Sequence, residues 1–106
     1  TVAKFISGGL ETKVYLVKIS GFDTHNLQVA SNTTTHTGSH ADLLAQVSEA
    51  VTNFITDLNN QNIGDDVLAV TFSEFGRKAG ENGNLGTDHG EIAPMFVFAR
   101  PEYCQF

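Results

Sequence analysis

Asp23 and His25 stand two residues apart, a spacing that in extended backbone sends both side chains to the same side of the chain. Farther along, Glu74 sits within Ser-Glu-Phe-Gly-Arg, and Asp88 and His89 are adjacent between Gly86 and Gly90. Carboxylate oxygens and imidazole nitrogens with no thiolate suit zinc, manganese or a related divalent ion, and the histidines make magnesium and calcium less favoured. Two like charges about 4 Å apart repel by about 4 kcal/mol at an effective dielectric of about 20. Asp23, Glu74 and Asp88 can therefore share a crevice only if a cation or raised pKa values answer that repulsion. Five ligands exceed the usual three protein ligands of one catalytic zinc, which leaves room for two ions if further ligands come from outside this segment. Asp and His in polar loops also serve as solvated turn and capping residues, so on spacing alone both readings stand.

The elements that would position these groups follow from the hydrophobic pattern. Residues 13 to 20, Lys-Val-Tyr-Leu-Val-Lys-Ile-Ser, read as a buried strand ended by Gly21. Residues 26 to 38 are dense in Asn, Thr, Ser and Gly and read as a polar surface loop. Ser39 followed by Asp42 has the form of a capping box, so a helix is expected to start near His40. Its apolar stripe is Leu44, Val47, Val51, Phe54 and Leu58, widened by Leu43 and Ile55, and Asn59, Asn60 and Gly64 mark its end. Residues 67 to 72 and 95 to 99 read as two more strands, separated by a Gly-rich stretch from Gly76 to Gly90. Strand, helix, strand, loop, strand implies a right-handed crossover and a mainly parallel sheet. Ligands in such sheets collect beyond the carboxyl ends of the strands, where the five candidate residues lie.

With 106 residues, 41% of them hydrophobic and 17% charged, the chain is of the globular class and holds at most one domain. Strands that ask for cover on both faces, with one long helix to supply it, indicate a segment of a larger α/β domain or a chain that associates with a partner. Beginning at Thr1, without an initiator Met or signal-peptide pattern, fits a processed chain or an excised piece. A net charge of −6 argues against nucleic acid as a partner. No apolar run reaches the roughly 18 to 20 residues that span a bilayer. Cys104 is the lone cysteine and reads as an idle thiol. Arg77, just after Glu74, has the guanidinium to clamp a phosphate or sulfate oxygen, or else pairs at the surface with an acid such as Glu81. His36 and His40 read as a solvated loop residue and a first-turn helix residue.

Gly-Phe-Asp-Thr-His (21 to 25), His-Ala-Asp-Leu-Leu (40 to 44), Ser-Glu-Phe-Gly-Arg (73 to 77), Glu-Asn-Gly (81 to 83) and Gly-Thr-Asp-His-Gly (86 to 90) occur together in this order. From about Lys13 to Phe98 the chain resembles the carboxy-terminal part of a bacterial family of exported proteins of unknown function related to alkaline phosphatases and sulfatases. The resemblance implies an alkaline-phosphatase-like three-layer fold, periplasmic or extracellular location, and a small anionic ester as substrate. It implies Asp23 and His25 as one ligand pair, Glu74 as a strand-end acidic ligand, and Asp88 with His89 completing the set. Phe75 departs from the Asp-His pair common at that strand end. No nucleophile motif is recognisable, although Thr24, Ser73 and Thr87 place hydroxyls near the candidate ligands. The terminus from Ala99 to Phe106 is atypical of the family. Two readings follow: a metal-binding segment of a metal-dependent ester hydrolase, or a non-catalytic, metal-stabilised binding or assembly module of the cell envelope.

Overall fold

A computed structural model describes residues 1 to 100 and Tyr103. Two helices, α1 (Val2–Ser7) and α2 (Ser39–Asn60), precede a 3-10 turn at Gly64–Asp66. Four two-residue strands follow: β1 (Ala69–Val70), β2 (Gly76–Arg77), β3 (His89–Gly90) and β4 (Val97–Phe98). None of the described helices is long and apolar enough to cross a membrane.

Helix α2 forms where its apolar spacing predicts, with Asn59 and Asn60 in its last turn. Its start differs in chemistry. Gly38 is the N-cap, and the Ser39 hydroxyl donates to Leu27 O at 3.0 Å instead of accepting from the first helical turn. Ser39 thus fastens the polar loop to the helix rather than closing a capping box. Leu58 is 3% exposed and Ala3 on α1 is 1% exposed; they are the buried apolar side chains among the described residues. Helix α1 packs against α2, and α1 was not foreseen from its sequence.

The expected mainly parallel, three-layer α/β arrangement is not what the chain adopts. β1 pairs antiparallel with β4, Ala69 opposite Phe98 and Val70 opposite Val97, and β2 pairs antiparallel with β3, Gly76 opposite Gly90 and Arg77 opposite His89. A parallel pair needs a crossover, usually helical, to carry the chain back to the starting end. The connection from β1 to β4 instead folds on itself through the β2–β3 ribbon and brings β4 back in the opposite direction. Residues 13 to 20 form no strand: among the described residues no segment hydrogen-bonds to their backbone. Hydrophobic content signalled a demand for burial there but did not supply the partner. Val14 and Leu16 stay 82% and 77% exposed.

The accessible surface is 7991 Å², whereas a folded monomer of 11.4 kDa exposes about 5,800 Å². The radius of gyration is 16.7 Å, against about 13 Å for a compact chain of this length. The surplus is largely apolar: Leu68, Phe72, Met95 and Phe96 are exposed along with the segment at 13 to 20. The expectations for Cys104 and most of the 99 to 106 terminus fall outside the described residues.

Leu58→Ala is expected to cost about 2 to 5 kcal/mol in chemical denaturation because it empties a filled site. Leu44→Ala, on the exposed edge of the same stripe, should stay within about 0.5 kcal/mol.

Candidate metal centre

Two loops make the site. In the first, Thr24 N–H donates to Phe22 O at 2.9 Å, closing a tight turn with Asp23 at its apex. Asp23 and His25 thereby face one another across a turn, not along extended backbone. The second loop runs from Asn82 to β3 and carries Asp88 and His89.

The loops are zipped along their backbones: Leu27 N–H donates to Asn84 O at 3.0 Å and Val29 N–H to Leu85 O at 3.2 Å. Gly86 sits at the closest approach. A Cβ there would lie 2.3 Å from His25 O and 2.7 Å from Asn26 N, so only glycine lets the two chains pass. Gly90 has the same role inside the β2–β3 ribbon, where a Cβ would come within 2.5 Å of Lys78 N. Both glycines of Gly-Thr-Asp-His-Gly therefore serve close approach; neither is among the positive-φ residues a tight turn would demand.

Three ligand atoms converge. Asp23 Oδ1 lies 2.8 Å from His89 Nε2 and 3.0 Å from His25 Nε2, and the two Nε2 atoms are 3.2 Å apart. Ligands on a tetrahedral zinc at about 2.0 to 2.1 Å stand about 3.3 Å from each other, so this triangle is close to the size an ion sets. Without an ion, Asp23 can accept from both imidazoles only if each carries its proton on Nε2. Two N–H groups then face each other across 3.2 Å. A divalent ion at the centre uses all three lone pairs and removes that conflict.

The surroundings orient these groups. Phe75 stacks on the His89 ring, centroids 3.8 Å apart and planes inclined by 21°, so the departure at position 75 holds a ligand ring in place. Asp88 Oδ1 is 3.7 Å from His25 Nδ1, on the side of the ring away from the cluster. Asn82 Nδ2 donates to Asp88 Oδ1 at 3.2 Å and to His25 O at 2.7 Å, and Lys78 Nζ lies 3.4 Å from Asp88 Oδ2. A carboxylate behind a ligating imidazole fixes its tautomer and raises its basicity. Asp88 is thus placed behind His25, while Glu74 is exposed and stands outside the three-atom cluster.

Arg77, expected to grip an anion, is largely covered, at 19% side-chain exposure. Its terminal nitrogens donate to Phe22 O at 2.6 Å, Thr24 O at 3.4 Å and Thr87 O, with Asp23 Oδ1 at 3.5 Å. These bonds draw both ligand loops onto β2. Gln28 adds a second tie, its Oε1 accepting from the hydroxyls of Thr24 at 3.2 Å and Thr87 at 2.9 Å. Gln28, Lys78 and Asn82 were not singled out from the sequence; a tie between loops has no motif of its own. His36 is exposed as expected. His40 lies in the first turn of α2 as expected, half-buried and edge-on to Phe22, with Nδ1 enclosed and unpartnered among the described residues.

The hydrogen bond from His89, reinforced by the nearby charges of His25 and Arg77, holds the Asp23 carboxyl below its ordinary value of 3.8. Hydrogen bonds from Asn82 and Lys78 do the same for Asp88. A depressed folded-state pKa contributes stability that is present above the ordinary value and lost as pH falls through the lowered one. The carboxyl carbons of Asp23 and Asp88 should therefore titrate below 3.8 in an NMR series, and Asn82→Ala should move the Asp88 midpoint upward. Gly86→Ala should separate the loops, seen as a lower melting temperature and loss of the ring contact between His25 and His89.

Residues 9–99 match the family described as a protein of unknown function, DUF1501, and the chain belongs to that family. No curated protein and no solved structure matches the chain.

Proposed function

We propose that this DUF1501 member binds a divalent metal through Asp23, His25 and His89, with Asp88 behind His25, and that the site serves hydrolysis of a phosphate or sulfate ester. The observation that carries the metal is the triangle of Asp23 Oδ1 and two Nε2 atoms, each pair within 3.2 Å. Zinc or manganese suits that donor set. Three protein ligands exposed to between 46% and 58% leave the solvent side of such an ion open, as a catalytic metal requires. A second ion would draw on Glu74 and on ligands from further polypeptide.

The charge balance supports an anionic substrate. Asp23 and Asp88 are matched by Arg77 and Lys78, so a divalent ion leaves the site net positive. Bound there, the ion would polarise an ester oxygen and lower the pKa of water. The residues' own part is to hold it: Phe75 stacks on His89, Asp88 lies 3.7 Å behind the Nδ1 of His25, and Arg77 with Gln28 fixes the spacing of the loops. The motif resemblance to relatives of alkaline phosphatases and sulfatases supports the same chemistry, and export to the periplasm or beyond belongs to that resemblance. The uncovered apolar surface supports reading these residues as a segment of a larger domain or as packing on a partner.

A second reading is favoured by the hydroxyls. Thr24 and Thr87, the ones nearest the ligands in sequence, both donate to Gln28 Oε1 and are engaged in structure rather than held free for attack. That suits a metal-stabilised binding or assembly module.

Metal analysis after mild dialysis should find a bound divalent ion, lost in His89→Ala and His25→Ala. Asp88→Asn should weaken binding by roughly 10- to 100-fold and lower the melting temperature. If those changes leave metal content and melting temperature untouched, the site proposal fails. Aryl phosphate or aryl sulfate turnover by the metal-loaded protein decides between the readings: bound metal without turnover leaves only the second.

A further inference from the structure

Asn82 is the one asparagine of the chain's eight that is followed by glycine; the others precede Leu, Thr, Phe, Asn, Gln or Ile. It is also, with Arg77 and Gln28, one of the side chains that tie the two ligand loops together, donating to His25 O at 2.7 Å and Asp88 Oδ1 at 3.2 Å. We propose that Asn82 is a deamidation site, and that its conversion to aspartate or isoaspartate loosens the hold between the Asp23–His25 loop and the Asp88–His89 loop.

The reaction needs no reagent but water. The main-chain nitrogen of Gly83 attacks Cγ of Asn82, the bond from Cγ to Nδ2 breaks, and ammonia leaves with the amide proton of Gly83. The resulting succinimide opens by adding water across one of its two ring C–N bonds. One opening gives aspartate; the other gives isoaspartate, with a methylene inserted into the main chain.

Several features place this chemistry at Asn82. Gly83 is exposed, and a Cβ built on it would meet nothing within 4 Å, so solvent reaches the peptide that reacts. No side chain at position 83 blocks the approach of nitrogen to Cγ, whereas the residues following the other seven asparagines all carry one. Asn84 N–H donates to Asn82 Oδ1 at 3.0 Å, which draws electrons from the carbonyl that is attacked. The two bonds made by Nδ2 oppose the reaction by holding the leaving group. Its rate is therefore set by how often this clamp opens.

The product does not re-form the clamp. An amide donates through Nδ2, while a carboxylate only accepts. At position 82 it would face the carbonyl of His25 and the carboxylate of Asp88, replacing two attractive contacts with an acceptor against an acceptor and a negative charge against a negative charge. Opening thus becomes one-way. The loosening of the loops stands without any ion; the accompanying loss of metal rests on the metal-site reading above.

The test is to age the purified protein in mildly alkaline buffer, map isoaspartate by peptide mass spectrometry, and follow hydrogen exchange across residues 22 to 29 in native, aged and Asn82→Asp protein. Isoaspartate should concentrate at Asn82, and exchange at Leu27 and Val29, whose amides bond the other loop, should rise in both altered forms. Zinc affinity should fall roughly 10- to 100-fold, the scale of a lost outer-shell contact. The aged sample starts from native protein, so it remains informative if Asn82→Asp folds poorly. Modification spread evenly over the eight asparagines, or unchanged exchange at 27 and 29 once Asn82 is converted, overturns the proposal. Native protein that takes up no zinc would overturn the metal reading alone, and the exchange arm would still decide this one.

Discussion

The backbone of His25 and Asn26 runs so close to Gly86 that no side chain fits between them, and the geometry of the site hangs on that approach. Asp23 and His25 lie on one side of it, Asp88 and His89 on the other. A separation of the loops would part the Nε2 atoms of His25 and His89, which lie 3.2 Å apart. The approach is fastened on several sides: by main-chain bonds from Leu27 and Val29, by the Arg77 guanidinium beneath, and by Gln28 and Asn82 from the flanks. Each fastening is polar and partly wet, so each contributes modestly, and their number is what holds the loops.

That arrangement explains why a well-knit site coexists with a thin core. The ligand loops are organised by hydrogen bonds to one another and to β2, not by packing on a hydrophobic interior. Ala3 and Leu58, the buried apolar side chains among the described residues, lie on the helices and not on the ligand loops. The site can therefore be preorganised while apolar segments such as residues 13 to 20 stay uncovered.

Phe75 shows how a residue that breaks a motif acquires a role. Read as a motif position, it removes a ligand. In three dimensions it lies flat against His89 and limits the rotation of the imidazole that must face Asp23. Arg77 changes meaning in the same way. Its charge and position after Glu74 suggested an anion clamp, yet a guanidinium with several carbonyl oxygens in reach is drawn to them, because an uncapped carbonyl beside a covered cation would leave both undersolvated. Glu74 was grouped with the other ligands because it follows an apolar run, and sharing an end of a strand is not sharing a point in space.

The sequence by itself determined the long helix, because a stripe at spacings of three and four has one amphipathic solution over 22 residues. It also singled out Asp23, His25, Glu74, Asp88 and His89 as one set; the structure brings Asp23, His25 and His89 together, with Asp88 3.7 Å from His25 Nδ1 and Glu74 outside the cluster. Only the tertiary structure decided strand direction and pairing. A short apolar run records how much burial it needs but not which edge it will meet, so the expected parallel sheet gave way to two antiparallel pairs. The same holds within the site, whose distances are set by loops with contacts up to 66 residues apart in the chain.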